Sequence, residues 1–436
     1  MAEGVQIIGI SPSVQKLWNL QLGSTQKLSC GNNTINIKIS SISDAKSDPQ
    51  QTFISKDLAQ VLGLPCPVHA NVIKKMNQLR IGPLVGVLAS RFDKSKASFG
   101  SQDGYYRRLM ENLNHLHGIG FVFTHQGIDW QRKMIRGYYL TENGDWQQHR
   151  FPMPDVCYNR FFRSKNSPHS RDTMSRLGRL GVRSFNTTIG NKWRIFNMLG
   201  HSKDIKPHLP DTGNLISSSM LESWLDKYGS VYIKPVKGCR GQGVTRVTKQ
   251  VDRYLVKGAQ DNNARCLLHP REVFSSIKKL NDDDTLIIQR SISCRGKEGH
   301  FDVRALVQKD RSNQWHVTGI AARVGAEGKV TTNLHTGGHA EKLAELLVKR
   351  GFENSEVTEI ISEINRLALQ IAHVIEKNSR AVGELGLDFI IDSIGKVWFL
   401  EANPKPGRQS FLHMSLETRR LTGLRPMEYA CFLAGF

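Results

Sequence analysis

Two carboxylates and a carboxamide carry the strongest chemical signal in this 436-residue chain. In "VWFLEANPKPG", residues 397–407, an apolar run ends on Glu401, Ala402 and Asn403. Side chains two apart on a strand share a face, so Glu401 and Asn403 lie together. The preceding "GLDFIIDSIGKVWFL" reads as a hairpin, with strands Leu387 to Ile391 and Lys396 to Leu400 around a tight turn at Ser393 to Gly395. An antiparallel return brings Asp388, at the start of the first strand, toward Glu401, at the end of the second. Taken alone, a polar strand end followed by prolines is an ordinary stop signal. Three oxygen donors converging on one sheet end instead suit Mg²⁺, which binds through one or two carboxylates together with substrate phosphates.

Anion-handling signals accompany them. "VYIKPVKGCRGQGVTRV" reads as strand, glycine-rich loop, strand, with Gly238, Gly241, Gln242 and Gly243 in the loop and Lys234 just before it. Glycines let backbone N–H groups approach phosphate oxygens. No Gly-Lys-Ser/Thr opens a helix, and a strand follows the loop, so neither a Walker A motif nor a dinucleotide fingerprint fits. In "TIGNKWRIFNMLGH", Lys192 opens a helix, where a cation opposes the helix dipole unless an anion sits nearby. In "FDVRALV", Asp302 and Arg304 face one way while Phe301, Val303 and Ala305 face the other, either as a surface ion pair or as part of a site. Arg323 and Asn333 follow in "GIAARVGAEGKVTTNLHTGG"; there Gly337 and Gly338 argue against a helical metal pair of His335 and His339.

The elements that must position these groups divide the chain in four. Residues 1–78 read as a small β-rich N-terminal domain, with a hairpin around Gly31-Asn32-Asn33. Residues 80–190 read as α/β: a strand at Ile81 to Ser90, a helix from Gln102 to His117, and a strand at Gly120 to Thr124. The remaining two parts, 191–290 and 291–436, carry the glycine-rich loop and the polar strand ends described above. Composition fits a chain with sizeable cores, at 39% hydrophobic residues and 15 prolines. No signal-peptide pattern and no bilayer-length apolar segment is present, and the seven scattered cysteines form no Cys-x-x-Cys pair, which points to a reducing cytoplasmic setting. Sixty Lys and Arg against 39 Asp and Glu give a formal charge of +21, which favours an anionic partner. The densest segment, residues 160–183, has seven basic residues and one acid, with Arg176, Arg179 and Arg183 at the spacing of one helix face. It lacks the interleaved aromatics that single-stranded nucleic acid stacking would want, which lowers that particular option.

In this order the motifs resemble the ATP-grasp superfamily. They run from Lys192 through Lys234 and the Gly238 to Gly243 loop, the hinge Gln289 to Ile292, Asp302-x-Arg304 and Asp388 to Glu401-x-Asn403. Asp388 lies thirteen residues before the Glu-x-Asn, and the match covers about residues 190–410. "YNR", "VTTNLHTGG" and the β-rich N-terminal unit resemble more narrowly the YheC/YheD-type, endospore-coat-associated branch. The resemblance implies an α+β ATP-grasp fold, with an α/β pre-ATP-grasp domain, a small lid and a mixed-sheet C-terminal part.

It also implies an ATP-dependent, ADP-forming carboxylate–amine ligase that makes an amide or peptide bond through an acyl phosphate. Lys192, Lys234 and the loop would hold the phosphates, and Gln289, Arg290 and Ile292 the nucleoside. Asp388, Glu401 and Asn403 would hold Mg²⁺, with Mn²⁺ as a substitute. Arg304, Arg323 and Asn333 would serve catalysis. Substrates would be a small-molecule or peptide carboxylate and an amine, or an acidic polymer drawn by the charge, with no membrane partner. The alternative is a nucleotide-binding structural protein of the spore coat without turnover. Gln289 departs from the pattern, since many relatives carry an acid there.

Overall fold

The computed structural model describes the chain apart from residues 1–6, 11, 42–50, 54, 67–68, 163–169, 237–241, 260, 262, 282–284, 297–299, 327, 329, 333–336 and 380. It is an α+β structure of four sheets in two compact units. One unit comprises residues 1–187, 309–314 and 420–436; the other comprises 188–308 and 315–419. Among the described residues no helix is long and apolar enough to cross a membrane.

The first unit holds two six-stranded sheets. In the N-terminal one, Thr25–Cys30 pairs antiparallel with Asn33–Ser41. Gly31 turns between them at φ +54°, and a Cβ there would meet the Met153 carbonyl oxygen at 2.1 Å, so only glycine fits. The second sheet is parallel at its centre, where Leu84–Leu88 lies between Ile119–Asp129 and Val156–Asn159. Leu84–Leu88 is buried along its whole length, as expected of a strand covered on both faces. Helix Asp103–His115 makes the crossover from Leu84–Leu88 to Ile119–Asp129. The basic segment does not form one long helix face. Its helix is Ser170–Arg179, and Gly181, at φ +84°, turns the chain so that Arg183 opens strand Arg183–Phe185. Arg176 of that helix stacks 4.0 Å from the Trp130 ring centroid.

The second unit carries the predicted site residues. Its six-stranded sheet runs in the order Thr212–Leu215, Leu286–Arg290, Ser230–Pro235, Thr245–Lys249, Tyr254–Gly258, Arg265–Leu267. Alternate residues Val231, Ile233, Val247 and Val256 bury against Leu221 and Leu225 of helix Ser218–Tyr228 and Val273 and Ile277 of helix Pro270–Leu280. Its five-stranded sheet runs His339–Glu341, Trp315–Val324, Phe301–Lys309, Glu384–Ile391, Val397–Asn403. Helix Asn354–Asn378 presents Val357, Ile360, Ile364, Leu367, Ile371 and Ile375 as an apolar stripe of helical spacing. That stripe shares a core with Val303, Ala305, Leu387, Phe389, Val397 and Phe399 of the sheet. The other face of those strands is left for polar chemistry.

Candidate active site

Period-two alternation on three neighbouring strands sets the site. On the central strand Glu384, Gly386 and Asp388 point to the same side. Register places Arg304 and Glu401 on either side of Asp388, Leu306 and Asn403 beside Gly386, and Gln308 beside Glu384. The last strand differs from the sequence expectation. It continues through Asn403 instead of stopping at Leu400, and its register shifts so that Phe389 pairs with Phe399 but Asp388 pairs with Glu401. Leu400 is the extra residue of a β-bulge, and bulges re-aim side chains in this way. In a regular ladder Leu400 would face the site and Glu401 the helix core. The bulge keeps Phe399 in the core and turns Glu401 and Asn403 toward Asp388.

A dense ion-pair network results. Arg304 grips Asp388 with two donors, Nε to Oδ1 and Nη2 to Oδ2, the latter at 2.9 Å. Arg323 lies between two acids, bidentate to Asp302 at 2.6 Å through both Nε and Nη2, with Nη2 also 3.1 Å from Asp388 Oδ2. The Thr332 hydroxyl donates to Asp302 as well. Burial works against ionising Asp388, but Arg304 and Arg323 outweigh it and pull its carboxyl down to about 2. Asp302 goes the other way: burial raises it, and the Arg323 it shares with Asp388 only partly compensates. Asn403 Nδ2 donates to Glu401 Oε1 at 3.1 Å and lies 3.5 Å from Asp388 Oδ2.

From the other sheet Lys234 reaches the same cluster. Its Nζ donates to Gln289 Oε1 at 2.7 Å, and Gln289 Nε2 donates to Thr212 Oγ1 at 3.0 Å, so that bond fixes which end of the amide faces the lysine. Lys234 keeps some contact with solvent yet is densely surrounded. Burial, opposed by Glu401 and reinforced by Lys192, lowers it to about 8. Lys192 opens helix Lys192–Gly200, which Asn191 caps, and its Nζ lies 4.0 Å from Glu401 Oε2. Gly243 stands at φ +73°, where a Cβ would lie 2.2 Å from Asn281 Oδ1. Gln242 beside it is exposed. Arg290 stacks 4.4 Å from the Trp398 ring, and Ile292 is half-buried. Gly238, Gly241 and Asn333 lie outside the described residues.

The structure therefore gathers Lys192, Lys234, Gln289, Arg304, Arg323, Asp388, Glu401 and Asn403. Arg323 links Asp302 to Asp388, which Arg304 grips, so Asp302 and Arg304 belong to one buried network and are not a surface pair. Three carboxylates face four cations, which leaves the cluster receptive to further negative charge. A divalent cation fits the donor set: Asp388 remains a carboxylate at neutral pH, Glu401 is one-third exposed, and a half-turn of the Asn403 amide would present Oδ1. Sequence reasoning missed Thr212, Thr332 and Trp398, which carry no motif, and Gly386. A Cβ on Gly386 would meet Pro406 Cβ at 2.7 Å and Arg304 Nη1 at 3.2 Å.

A profile of the YheC/D-like ATP-grasp family matches residues 181–433. The endospore coat-associated protein YheD of Bacillus subtilis is 31% identical over 397 residues, covering 88% of this chain and 86% of that one. YheC of the same organism is 24% identical over 328 residues, covering 72% and 88%. A tetrahydromethanopterin:alpha-L-glutamate ligase of Methanocaldococcus jannaschii is 27% identical over 205 residues, covering 46% of this chain and 54% of that one.

Proposed function

This chain belongs to the YheC/D-like ATP-grasp family, and we propose that it is an ATP- and Mg²⁺-dependent carboxylate–amine ligase. The reaction joins a small-molecule or peptide carboxylate to an amine through an acyl phosphate, releasing ADP and phosphate. The observation that carries this reading is the convergence of Lys192, Lys234, Arg304 and Arg323 with Asp388, Glu401 and Asn403 in one cluster. Phosphoryl transfer to a carboxylate brings like charges together, and a site that performs it needs fixed cations on several sides.

In this reading Lys192 and Lys234 hold the phosphates. The loop with Gly238, Gly241, Gln242 and Gly243 closes over them and excludes water. Gln289, Arg290 and Ile292 receive the nucleoside, with Gln289 offering an amide where an acid is usual. Arg304 stabilises charge on the transferring phosphoryl group, while Arg323 and Asn333 orient the carboxylate. Asp388, Glu401 and Asn403 would hold Mg²⁺, which when bound neutralises charge on the phosphates. The ligase name of the Methanocaldococcus jannaschii relative supports the reaction class.

The test is Mg²⁺-dependent ADP formation against pooled amino acids and short peptides, with wild type and Glu401→Ala in parallel. ADP release that needs both a pool component and Glu401 is expected. The endospore-coat names of the Bacillus subtilis relatives favour a second reading, a nucleotide-binding structural protein of the coat. MgATP binding with no ADP from any pool would support that one.

A further inference from the structure

The third row of the site face has no part in the chemistry above, yet it is built as a buried, hydrogen-bonded polar unit. Glu384, 0% exposed, opens the central strand two residues before Gly386 and four before Asp388. Gln308, its cross-strand partner, donates Nε2 to Glu384 Oε2 at 3.0 Å and accepts the Thr318 hydroxyl at 2.8 Å. The third position is filled by a side chain returning from beyond the Glu-x-Asn strand. Arg408, 7% exposed, donates Nη2 to Glu384 Oε2 and donates Nη1 to the Pro406 carbonyl at 3.1 Å.

We propose that Arg408 and Glu384 form a buried clamp that positions Glu401 and Asn403 for the cation. The chain leaves the sheet at Asn403, and only four residues separate it from Arg408. Within that span Pro406 lies over Gly386, so closely that a Cβ there would sit 2.7 Å from Pro406 Cβ. Gly386 is the register partner of Asn403 and the neighbour of Asp388. Pinning Arg408 to the first residue of the central strand thus folds the 404–408 segment back onto that strand. This holds the bulged end of the neighbouring strand, with Glu401 and Asn403, against Asp388. Beyond the bulge the strand keeps pairs only from Glu401 to Asn403, on one neighbour, before the chain leaves the sheet. Arginine suits the task because its fork satisfies a carboxylate and a carbonyl at once, which the single ammonium of a lysine does less well.

The inference rests on the cation-site reading above, so the experiment separates the two. Mn²⁺ binding in the presence of ATP is followed by electron paramagnetic resonance, and ATP binding without metal by calorimetry. The proteins are wild type, Arg408→Lys, Arg408→Met and the double variant Arg408→Met/Glu384→Met. Wild type is expected to bind Mn²⁺; if it does not, the cation-site reading falls and the clamp falls with it. Arg408→Met is expected to weaken Mn²⁺ binding at least tenfold with metal-free ATP binding changed less than twofold, and Arg408→Lys to restore part of the loss. Removing one partner of a buried pair can unfold a protein, whereas replacing both by apolar residues is usually tolerated. The double variant therefore provides the decisive folded protein. Weak Mn²⁺ binding by it supports the clamp; Mn²⁺ affinity equal to wild type overturns it.

Discussion

Gln289→Glu tests how this site keeps its phosphate-facing lysine available. The Gln289 side chain accepts from Lys234 at 2.7 Å and is 2% exposed, so a carboxylate of nearly the same shape would stand in the same contact. Unit charges about 4 Å apart interact by about 4 kcal/mol at an effective dielectric near 20. The cost of dehydrating the new carboxylate reduces that figure. Lys234 now sits at about 8 against an ordinary 10.5. Restoring it to the ordinary value corresponds to roughly 3 kcal/mol of pairing. An ammonium committed to a carboxylate is less available to a phosphate. ATP binding should therefore weaken by roughly 10- to 100-fold, equivalent to about 1.4–2.8 kcal/mol. The pH dependence gives a second signature. In wild type, ATP binding should weaken as pH rises through about 8, where Lys234 loses its proton. In Gln289→Glu that alkaline limb should move to about 10 or above. Stability gives a third, because the folded chain holds Lys234 below its unfolded value. Wild-type stability without ligand should therefore rise between pH 8 and 10.5, where the unfolded chain binds more protons. Calorimetric titration with ATP from pH 6.5 to about 10.5 checks the first two. Equal affinities and coincident alkaline limbs for the two proteins would refute the reasoning.

Three further variants probe the framework. Asp388→Asn leaves two buried guanidinium groups short of a charge and should cost about 3–5 kcal/mol in urea denaturation. The same carboxylate, held at about 2 against 3.8, contributes stability above pH 4 that disappears as pH falls toward 2. Its contribution is roughly 2 kcal/mol, and the asparagine variant should lack that acid-dependent component. Gly243→Ala drives a Cβ to 2.2 Å from Asn281 Oδ1 at φ +73° and should lower stability by about 1–3 kcal/mol. A thermal melt reads this, and a melting temperature unchanged within a degree would count against the close approach. Phe399→Ala, on the core face of the same strand, should cost about 3–5 kcal/mol. Its urea transition should shift with little change in metal-free ATP affinity, since Phe399 packs on the core face against Phe389 and Phe196.

Much of the site was legible because its residues sit on regular elements. Asp388, Glu401 and Asn403 stood out because hydrophilic oxygen donors interrupt apolar strands, and Asp302 with Arg304 because period-two alternation sets them apart from Phe301, Val303 and Ala305. Lys192 was legible as a cation at a helix start, and the lysine finds Glu401 4.0 Å away. What escaped was whatever depends on a partner distant in sequence. Arg323 was a candidate only through the family resemblance, and only the fold places it between Asp302 and Asp388. Thr212 and Gln289 are 77 residues apart, and their bond orients the amide toward Lys234. The composition of the two units is equally non-local, since residues 309–314 and 420–436 cluster with 1–187.

The sequence by itself determined the types of donor, their order along the chain and the strands that carry them, because hydrophobic periodicity and turn residues are local properties. It also determined that the chain carries +21 formal charges. The tertiary structure alone decided which way Glu401 and Asn403 face. Simple alternation through "VWFLEAN", with Ile391 opposite Val397, would pair Asp388 with Leu400 and send Glu401 toward helix Asn354–Asn378. The bulge at Leu400 reverses that. A bulge forms where packing on both faces outweighs one lost ladder contact. Here Phe399 stays buried among Phe389 and the helix while the acids meet Arg304, Arg323 and Lys192. That balance is between faces of an assembled sheet, and no single stretch of sequence contains it.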